Sequence, residues 1–393
     1  MTTNKNNNRN RNIIHDPRRS KRILRASTEV PYARTIPSRT RRHTQLLFSG
    51  QLPIETAPTF LFTFGIVADI QYANVPDGTS YGGIPRFYRH SLQVAQHAAQ
   101  QYQDERVSLV INLGDIVDGK AQDLQAHGGE PIPGGGDPGH AAMDDVLRAL
   151  SVYNHGPILH TYGNHELYNL HRDDLGKKLN IPFVREPCGD LVGYRDHRHE
   201  GIRFVVLDSY DISLMQRCPK YSQKRRKAEA ILAQHNPNFP EYENSPQGLM
   251  GVQKRYVAFN GAIDEPQLEW LQQTLTLARA LGEKVVIISH QPILPGSSAS
   301  VCLIWNYPDV LKILRAFSDI VIASFSGHAH KGGYKRDTAS GIHFRVIEAV
   351  LENNHPHKTY GFCDVYDDRI ILRGVGNCTS AEFDFDHCHT SHR

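Results

Sequence analysis

The sequence predicts an α/β fold, and three observations support that prediction. Short apolar runs rich in β-branched residues alternate with segments whose apolar residues recur at helical spacing. The last two such runs are joined by a tight turn, which is typical of a sheet that also contains antiparallel strands. Most of the runs are followed by short blocks containing Asp, Gln, Asn or His, at the strand ends where α/β sheets build their sites.

The elements of the first half follow from composition and periodicity. Residues 61–68 are almost continuously apolar, as expected of a buried strand, and Leu92, Ala95 and Ala99 lie at helical spacing. Glycine clusters and prolines between 119 and 140 predict a long loop. In order, we expect a strand at 61–68, a helix at 88–106, a strand at 107–113, a loop at 119–140, a helix near 141–153, and strands at 157–161 and 202–208.

The second half repeats the alternation. Asp264, followed by Pro266 and Gln267, predicts a helix start with a capping box. Residues 213–256 are basic and weakly periodic, and we interpret them either as an insertion that partly covers the site or as a surface loop with one helix near 223–234. The remaining expected elements are a helix at 264–281, a strand at 284–289, a helix at 308–317, and strands at 319–325, 343–350, 360–366 and 369–375.

Charge divides the chain into a tail and a body. Residues 1–42 hold 12 Lys and Arg but only Asp16 and Glu29, so this tail carries +10 and the remainder carries −7. An acidic body does not favour nucleic-acid binding, although the basic tail leaves that alternative open. We expect a disordered basic N-terminal extension at 1–58, one folded domain at 59–378 with the insertion at 213–256, and a C-terminal tail at 379–393.

Composition and cysteine content also predict the compartment. No stretch approaches the roughly 20 apolar residues of a membrane span, and the tail lacks the apolar core of a secretory signal. The six scattered cysteines form no CxxC pair, which favours a reducing compartment. We therefore expect a cytoplasmic protein without a membrane partner, with an organelle or the nucleus as the alternatives that the basic tail allows. A monomer is our expectation for the oligomeric state, although no feature of the sequence determines it.

Five short blocks of sequence contain the candidate metal-binding and catalytic residues. Their side chains are oxygen and imidazole donors, the set that two divalent cations require when they activate water against a phosphate. Asp115 follows a strand directly and is flanked by Gly114, so it is the candidate for a carboxylate shared by both ions. The blocks are Asp69-Ile70-Gln71, Gly114-Asp115-Ile116-Val117-Asp118-Gly119, Gly163-Asn164-His165-Glu166, Ser289-His290 and Gly327-His328-Ala329-His330.

As an ordered set, the blocks resemble the signature of the calcineurin-like metallophosphoesterase superfamily, which is D-x-H, GD, GNH(E/D), H and GHxH. The resemblance covers about residues 60–375 and implies a four-layer αββα sandwich with two mixed β-sheets, with residues 59–378 as the catalytic domain. It also implies that His165 acts on the phosphoryl group, by stabilising the transition state or donating a proton. The implied ligands are Asp69, Gln71, Asp115 and His330 for one ion, and Asp115, Asn164, His290 and His328 for the other.

Two departures from the signature narrow the interpretation. Gln71 replaces the usual first histidine, and its neutral amide oxygen favours Mn²⁺, with Mg²⁺ as the alternative, over Zn²⁺ or Fe. Gly119 stands where the protein Ser/Thr phosphatases have the phosphate-gripping Arg of GDxVDRG, which argues against that class.

Longer stretches resemble one branch of the superfamily. VADIQYA, DGTSYGG, INLGDIVDG, YGNHELYNL, CLIWNY and GHAHKGGY are similar to the manganese-dependent ADP-ribose/CDP-alcohol diphosphatases. The resemblance implies cleavage of the diphosphate of ADP-ribose, CDP-choline and similar small nucleotides by a metal-bridging hydroxide, giving a nucleoside monophosphate and a phosphorylated alcohol or sugar. The alternatives are a phosphomonoesterase, a cyclic-nucleotide phosphodiesterase, and a catalytically dead binding scaffold.

Residues near the ligands have less certain assignments from sequence. Tyr81 lies in a glycine-rich loop and is predicted either to stack on a nucleobase or to be an inconsequential rim residue. Cys302 follows His290 in the chain and either lines a nucleoside pocket or is a small buried apolar residue. The residues predicted to support the ligands rather than to bind metal are Asn112, Asp118 and Glu166.

Overall fold

Two six-stranded sheets face each other across an apolar interior. The computed structural model describes residues 57–215 and 222–389. The strands are β1 (Phe60–Val67), β2 (Gly78–Thr79), β3 (Pro85–Arg86), β4 (Leu109–Asn112), β5 (Ile158–His160), β6 (Val184–Arg185), β7 (Leu191–Val192), β8 (Arg195–His199), β9 (Ile202–Val206), β10 (Lys284–Ile288), β11 (Val321–Ser326), β12 (Gly333–Arg336), β13 (His343–Val346), β14 (Thr359–Tyr366), β15 (Arg369–Gly376) and β16 (Ala381–Asp384).

Along the chain, helices connect most of the central strands. They are α1 (Tyr88–Asp104), α2 (Pro138–Leu150), α3 (Asn164–Asn169), α4 (Arg172–Lys178), α5 (Gln223–His235), α6 (Glu265–Ala280), α7 (Tyr307–Ala316) and α8 (Asp386–His389). No helix within the described residues combines the length and the apolar character that crossing a membrane requires.

The first sheet has the order β16-β15-β14-β1-β4-β5. Strands β1, β4 and β5 are parallel, while β14, β15 and β16 extend the sheet in antiparallel fashion. Side chains alternate along β1, so Phe64 and Ile66 enter the interior between the sheets, while Val67 faces the helix side. Helices α1 and α2 cover that outer face.

The second sheet has the order β12-β13-β11-β10-β9-β8. Its strands β9, β10, β11 and β13 are parallel, and both edge strands are antiparallel to their neighbours. Phe204 and Phe325 meet Phe64 edge to face between the sheets, and α6 and α7 cover the other side. The layers are therefore helix, sheet, sheet and helix, and the predicted αββα sandwich with two mixed sheets is confirmed.

The insertion contains the helix that was expected near 223–234. It is α5, which begins after Ser222, whose hydroxyl accepts a hydrogen bond from the Arg225 main chain at 3.0 Å. Lys224 of this helix is buried and forms an ion pair with Asp211, which precedes the insertion. The segment is therefore fixed to the body by a buried charge pair.

Three local expectations are corrected by the structure. Helix α2 begins at Pro138 rather than near 141, because Asp137 caps it by accepting from the His140 main chain. Gln267 takes no part in a capping box, since its amide bonds to Asp208 instead. The C-terminal tail predicted at 379–393 is wrong for its first part, because β16 joins the first sheet and buries Phe383. The extension at 1–56 lies outside the described residues, so that part of the prediction remains untested.

Candidate metal centre

Strand direction brings the five blocks together. Asp69, Asp115 and Asn164 follow the parallel strands β1, β4 and β5, and His290 and His328 follow the parallel strands β10 and β11. The carboxyl ends of parallel strands lie at one edge of a sheet, so each sheet presents its polar residues at a single edge. The ligand atoms of Asp115, His290 and His328 lie within 4.8 Å of one another, although these residues come from different sheets.

The main chain is strained at this edge. Seven described residues other than glycine have a positive φ, and four of them are predicted ligands. Such backbone costs free energy and concentrates at functional sites, where the rest of the fold enforces it. The four are Asp69 (φ 52°), Gln71 (47°), Asp115 (53°) and His328 (65°).

Asp115 lies at the centre of the group. Its Oδ2 is 3.2 Å from His290 Nε2 and also accepts a hydrogen bond from Gln71 Nε2 at 3.2 Å. Its Oδ1 accepts from the His165 main-chain nitrogen at 2.9 Å. Burial opposes the charge of this carboxylate, but the imidazoles of His290 and His165 outweigh burial and hold its pKa below the ordinary range. The Asp115 carboxylate is thus negatively charged, and each of its two oxygens contacts a neighbouring residue.

Asp69, Gln71 and His330 form one side of the centre. His330 Nε2 is 3.6 Å from Asp69 Oδ1 and 3.0 Å from Gln71 Nε2. The other ring nitrogen of His330 lies 2.8 Å from a carboxylate oxygen of Glu352, which leaves Nε2 directed into the group. Burial raises the pKa of Asp69 to about 6, although the imidazoles of His330 and His290 oppose that rise.

His290, His328 and Asn164 form the other side. The Nδ1 of His290 is 2.7 Å from the Leu113 carbonyl, and the Nε2 of His328 is 2.8 Å from Asn260 Oδ1. These contacts fix which nitrogen of each ring remains available to the centre. Asn164 Oδ1 accepts a hydrogen bond from the Tyr210 hydroxyl at 3.1 Å, which orients the amide.

Two glycines of the motifs permit this close packing. A Cβ at Gly163 would lie 2.1 Å from Asp115 Oδ1 and 2.5 Å from His290 Nε2. A Cβ at Gly327 would lie 2.5 Å from Asp69 Oδ2. Any side chain at either position would displace a predicted ligand, which explains the glycines before Asn164 and His328.

Glu166 ties two of the loops together. Its carboxylate accepts hydrogen bonds from the main-chain nitrogens of Asp115 at 2.9 Å, Ile116 at 2.5 Å and Gly163 at 2.6 Å. Burial raises its pKa to about 7, with a further rise caused by Asp115. Glu166 therefore supports the main chain of the site, and it does so from a fully buried position.

The donors fit a pair of divalent cations. Among the described residues, two buried atoms of the centre have no hydrogen-bond partner, namely Gln71 Oε1 and His290 Nε2. Buried polar atoms are normally satisfied, so His290 Nε2 indicates a missing partner, whereas Gln71 in this orientation directs Nε2 rather than Oε1 toward Asp115 and His330. Burial disfavours a charged His290, yet Asp115 raises its pKa to about 9, so the carboxylate stabilises positive charge at this point. Oxygen and imidazole donors around two carboxylates suit Mn²⁺.

His165 has a defined tautomer. The main-chain nitrogen of Gly119 donates to its Nδ1 at 2.7 Å, so the hydrogen of the neutral ring resides on Nε2. Asp118 Oδ2 lies 3.4 Å from the same Nδ1. The side chain borders a cavity of about 580 Å³, which Gln71, Asp115 and Asn164 also line.

The two residues predicted to bind substrate differ in position. Cys302 lines the same cavity, and burial raises the pKa of its thiol to about 12, so it is uncharged. Tyr81 is fully exposed and lies instead on an adjoining groove of about 1470 Å³ formed largely by residues 238–249 of the insertion. Phe259 and Val301 line both spaces.

Sequence reasoning missed several residues that act beside the ligands. Asn260 donates to the carbonyls of Arg255 and Val301 and thereby directs its oxygen toward His328. No signature motif contains these positions, and only their contacts reveal them. The missed residues around the centre are Arg86, Tyr210, Phe259, Asn260 and Glu352.

Comparisons with known proteins agree with this geometry. Residues 62–332 match the family model described as calcineurin-like phosphoesterase. A dimetal phosphatase from Danio rerio superposes with a TM-score of 0.75 at 33% identity, covering 83% of this chain and 99% of that one. The chain therefore shares its fold with that dimetal phosphatase.

Curated relatives cover most of the chain. The manganese-dependent ADP-ribose/CDP-alcohol diphosphatase of Oryza sativa subsp. japonica is 38% identical over 83% of this chain and 95% of its own length. Proteins of the same name from Bos taurus and Homo sapiens are 39% and 37% identical, each over 80% of this chain and over 92% and 90% of their own lengths. The chain belongs to the calcineurin-like phosphoesterase family.

Proposed function

We propose that the protein is a Mn²⁺-dependent hydrolase of the diphosphate bond in ADP-ribose, CDP-choline and related nucleotides. The products are a nucleoside monophosphate and a phosphorylated sugar or alcohol. The observation that carries the proposal is the cluster of donors around Asp115 beneath an open cavity. Relatives named for this activity, 34–39% identical and matched over 88–97% of their length, give the substrate class.

Seven side chains hold the two ions in this proposal. The ions supply charge neutralisation of the phosphate and activation of a water nucleophile. Asp115 would be shared between them, because its Oδ2 lies 3.2 Å both from Gln71 Nε2 of one set and from His290 Nε2 of the other. A 180° turn of the Gln71 amide would bring Oε1 to the position of Nε2, beside Asp115 and His330. The two sets are Asp69, Gln71, Asp115 and His330, and Asp115, Asn164, His290 and His328.

His165 assists the bond that breaks. The Gly119 main chain occupies Nδ1, so the Nε2 hydrogen is the one available to a phosphate oxygen. A hydrogen bond from Nε2 to the oxygen that leaves the attacked phosphorus stabilises its developing negative charge.

The remaining assignments concern the nucleoside of the substrate, the oligomeric state and the cellular location. We assign the nucleoside to the space between Cys302 in the metal cavity and Tyr81 on the adjoining groove. We propose a monomer as the active species. The five described cysteines are free, which supports a cytoplasmic location.

A substrate panel tests the proposal. ADP-ribose, CDP-choline, a cyclic nucleotide and an aryl phosphate are each incubated with the protein and Mn²⁺, and the products are identified. We expect the two diphosphates to give AMP and CMP at rates well above those of the other compounds. Faster hydrolysis of the aryl phosphate or the cyclic nucleotide would contradict the proposal.

A further inference from the structure

Arg86 places a cation on the wall of the metal cavity. It ends β3, which pairs with β2 through Gly78, so its main chain is held by a short hairpin. Its side chain lines the cavity together with Gln71, Asp115 and His165. The guanidinium is mostly buried, with 21% of the side chain exposed, so its orientation is restricted.

The guanidinium has unused hydrogen-bonding capacity. Its Nε is buried and has no acceptor among the described residues. Its nearest carboxylate oxygen is Asp118 Oδ2 at 4.0 Å, which is too far for a hydrogen bond. The Nε of Arg172 is also without an acceptor, but its terminal nitrogens donate to Asp208 at 2.9 Å and to the Tyr210 carbonyl at 2.7 Å, whereas no such bond forms from Arg86 to the described residues. A buried donor without an acceptor is costly, so Arg86 is prepared for a partner that enters the cavity.

We infer that Arg86 binds the phosphate that departs from the attacked phosphorus, and that it thereby selects diphosphates over esters with one phosphorus. This inference rests on the proposed function. The ions neutralise the phosphate under attack, whereas the second phosphate of the anhydride brings a further negative charge that needs its own cation. A planar guanidinium can donate two parallel hydrogen bonds to phosphate oxygens.

The position of Arg86 identifies which phosphate it binds. Arg86 and His165 approach the same carboxylate oxygen of Asp118, at 4.0 and 3.4 Å, so the two side chains are neighbours. His165 is assigned to the oxygen that departs, and the phosphate carrying that oxygen therefore lies beside Arg86. Lys331 also lines the cavity, but it is exposed and belongs to a different loop.

The test compares two substrates in Arg86→Gln. One is ADP-ribose, and the other is bis(p-nitrophenyl) phosphate, which has a single phosphorus. We expect kcat/KM for ADP-ribose to fall about 10–100-fold, as for the loss of a charge-assisted hydrogen bond. The fall for the single-phosphorus ester should be at least about tenfold smaller. Arg86→Lys should recover part of the loss, because it keeps the charge without the planar fork.

A binding measurement and a control variant complete the design. The affinity of the Mn²⁺-loaded protein for α,β-methylene ADP-ribose, measured by calorimetry, should fall by the same factor in Arg86→Gln. Arg89→Gln removes a nearby exposed arginine that bonds to Asn74 and should leave both activities unchanged. Thermal unfolding verifies that each variant is folded.

The outcomes separate the inference from the function on which it rests. Equal losses on both substrates, or no loss on ADP-ribose, would overturn the assignment of Arg86 while the wild-type activity stands. Wild-type protein that cleaves the single-phosphorus ester but not ADP-ribose would instead overturn the proposed function.

Discussion

Two clusters in this molecule each contain one aspartate and two histidines, but they differ in how the protein uses their hydrogen-bonding atoms. In one, Asp115, His290 and His328 bring their candidate ligand atoms within 4.8 Å of one another, and in the other, His343, Asp384 and His387 do the same. The first group is the proposed metal centre. Residue type and distance alone would assign a metal to both, so the difference must lie in what else these atoms contact.

In the second group, His343 and Asp384 already have hydrogen-bond partners within the protein. The Nδ1 of His343 is 2.8 Å from the Tyr334 hydroxyl, and its Nε2 is 3.1 Å from the Asp384 carbonyl. The Asp384 carboxylate accepts two hydrogen bonds from Arg336, at 3.0 and 2.8 Å. Burial, followed by the charge of Arg336, lowers the pKa of His343 to about 4. A cation here would compete with a guanidinium, which argues against a metal site.

The metal centre uses its hydrogen bonds differently. The protein holds only one nitrogen of each ring there, through the Leu113 carbonyl for His290, Asn260 for His328 and Glu352 for His330. The second nitrogen of each ring is left to the centre. The comparison teaches that a metal site is recognised by lone pairs that the fold leaves available, more than by the residues that carry them.

The largest effect should come from Asp115→Ala. Replacing a residue that only supports a metal ligand costs about 10–100-fold, so loss of the shared carboxylate should reduce kcat by at least about 10³-fold. His328→Ala should behave in the same way. Circular dichroism checks that the variants remain folded. The matched substitution in the second group, Asp384→Ala, should leave kcat and manganese content unchanged; Mn²⁺-dependent activity retained in Asp115→Ala would refute the ligand assignment.

A smaller effect is expected from Glu166→Gln. The amide keeps the shape but brings an NH₂ group against main-chain nitrogens that now donate to the carboxylate. Activity or manganese affinity should fall about 10–100-fold, as for other residues that support metal ligands. Glu283→Gln is the control, because Glu283 is equally buried but bonds to Arg198 and Arg203 instead. Equal effects of the two substitutions would argue against a supporting role for Glu166.

Gln71→His should change which metal is preferred. An imidazole in place of an amide oxygen favours Zn²⁺, so the ratio of zinc to manganese affinity should rise on the order of tenfold. Metal competition followed by elemental analysis measures this ratio. Gln71→Glu keeps an oxygen donor and should show no shift toward zinc. If Gln71→His leaves the ratio of zinc to manganese affinity unchanged, the claim that the amide oxygen of Gln71 sets the metal preference is contradicted.

The smallest effect should come from Tyr334→Phe in the second group. Removing the hydroxyl leaves the buried Nδ1 of His343 without its partner and should lower the free energy of unfolding by about 1 kcal/mol. Urea unfolding measures the loss. The manganese content should not change, and a fall in bound metal would show that this group also holds an ion.

Central strands were predictable from the sequence, whereas three of the four edge strands of the two large sheets were not. Strands β1, β4 and β10 are apolar runs buried on both faces, which a sequence reveals directly. The strands missed from the large sheets are β8, β12 and β16, and each lies at or beside a sheet edge. Edge strands carry charged residues that discourage pairing with other chains, so Arg195–His199 has no apolar pattern.

The residues of the candidate site likewise fall into those that the sequence predicts and those that it does not. The ligands were predictable because each lies in a short motif at a strand end, such as Asp69 after β1. Asn260 lies in a connecting segment and Arg86 in the short strand β3, and their roles depend on their proximity to His328 and Asp118, which no local spacing encodes. The position of Tyr81 on the adjoining groove was equally inaccessible, because it depends on where the insertion packs.

The number of manganese ions bound by each chain tests the central claim most directly. Protein loaded with Mn²⁺ and freed of excess metal is analysed by mass spectrometry of the elements and by electron paramagnetic resonance. The account predicts two ions per chain with the spectrum of a coupled pair, and loss of that spectrum in Asp115→Ala. A fully active protein that holds a single uncoupled ion would contradict it.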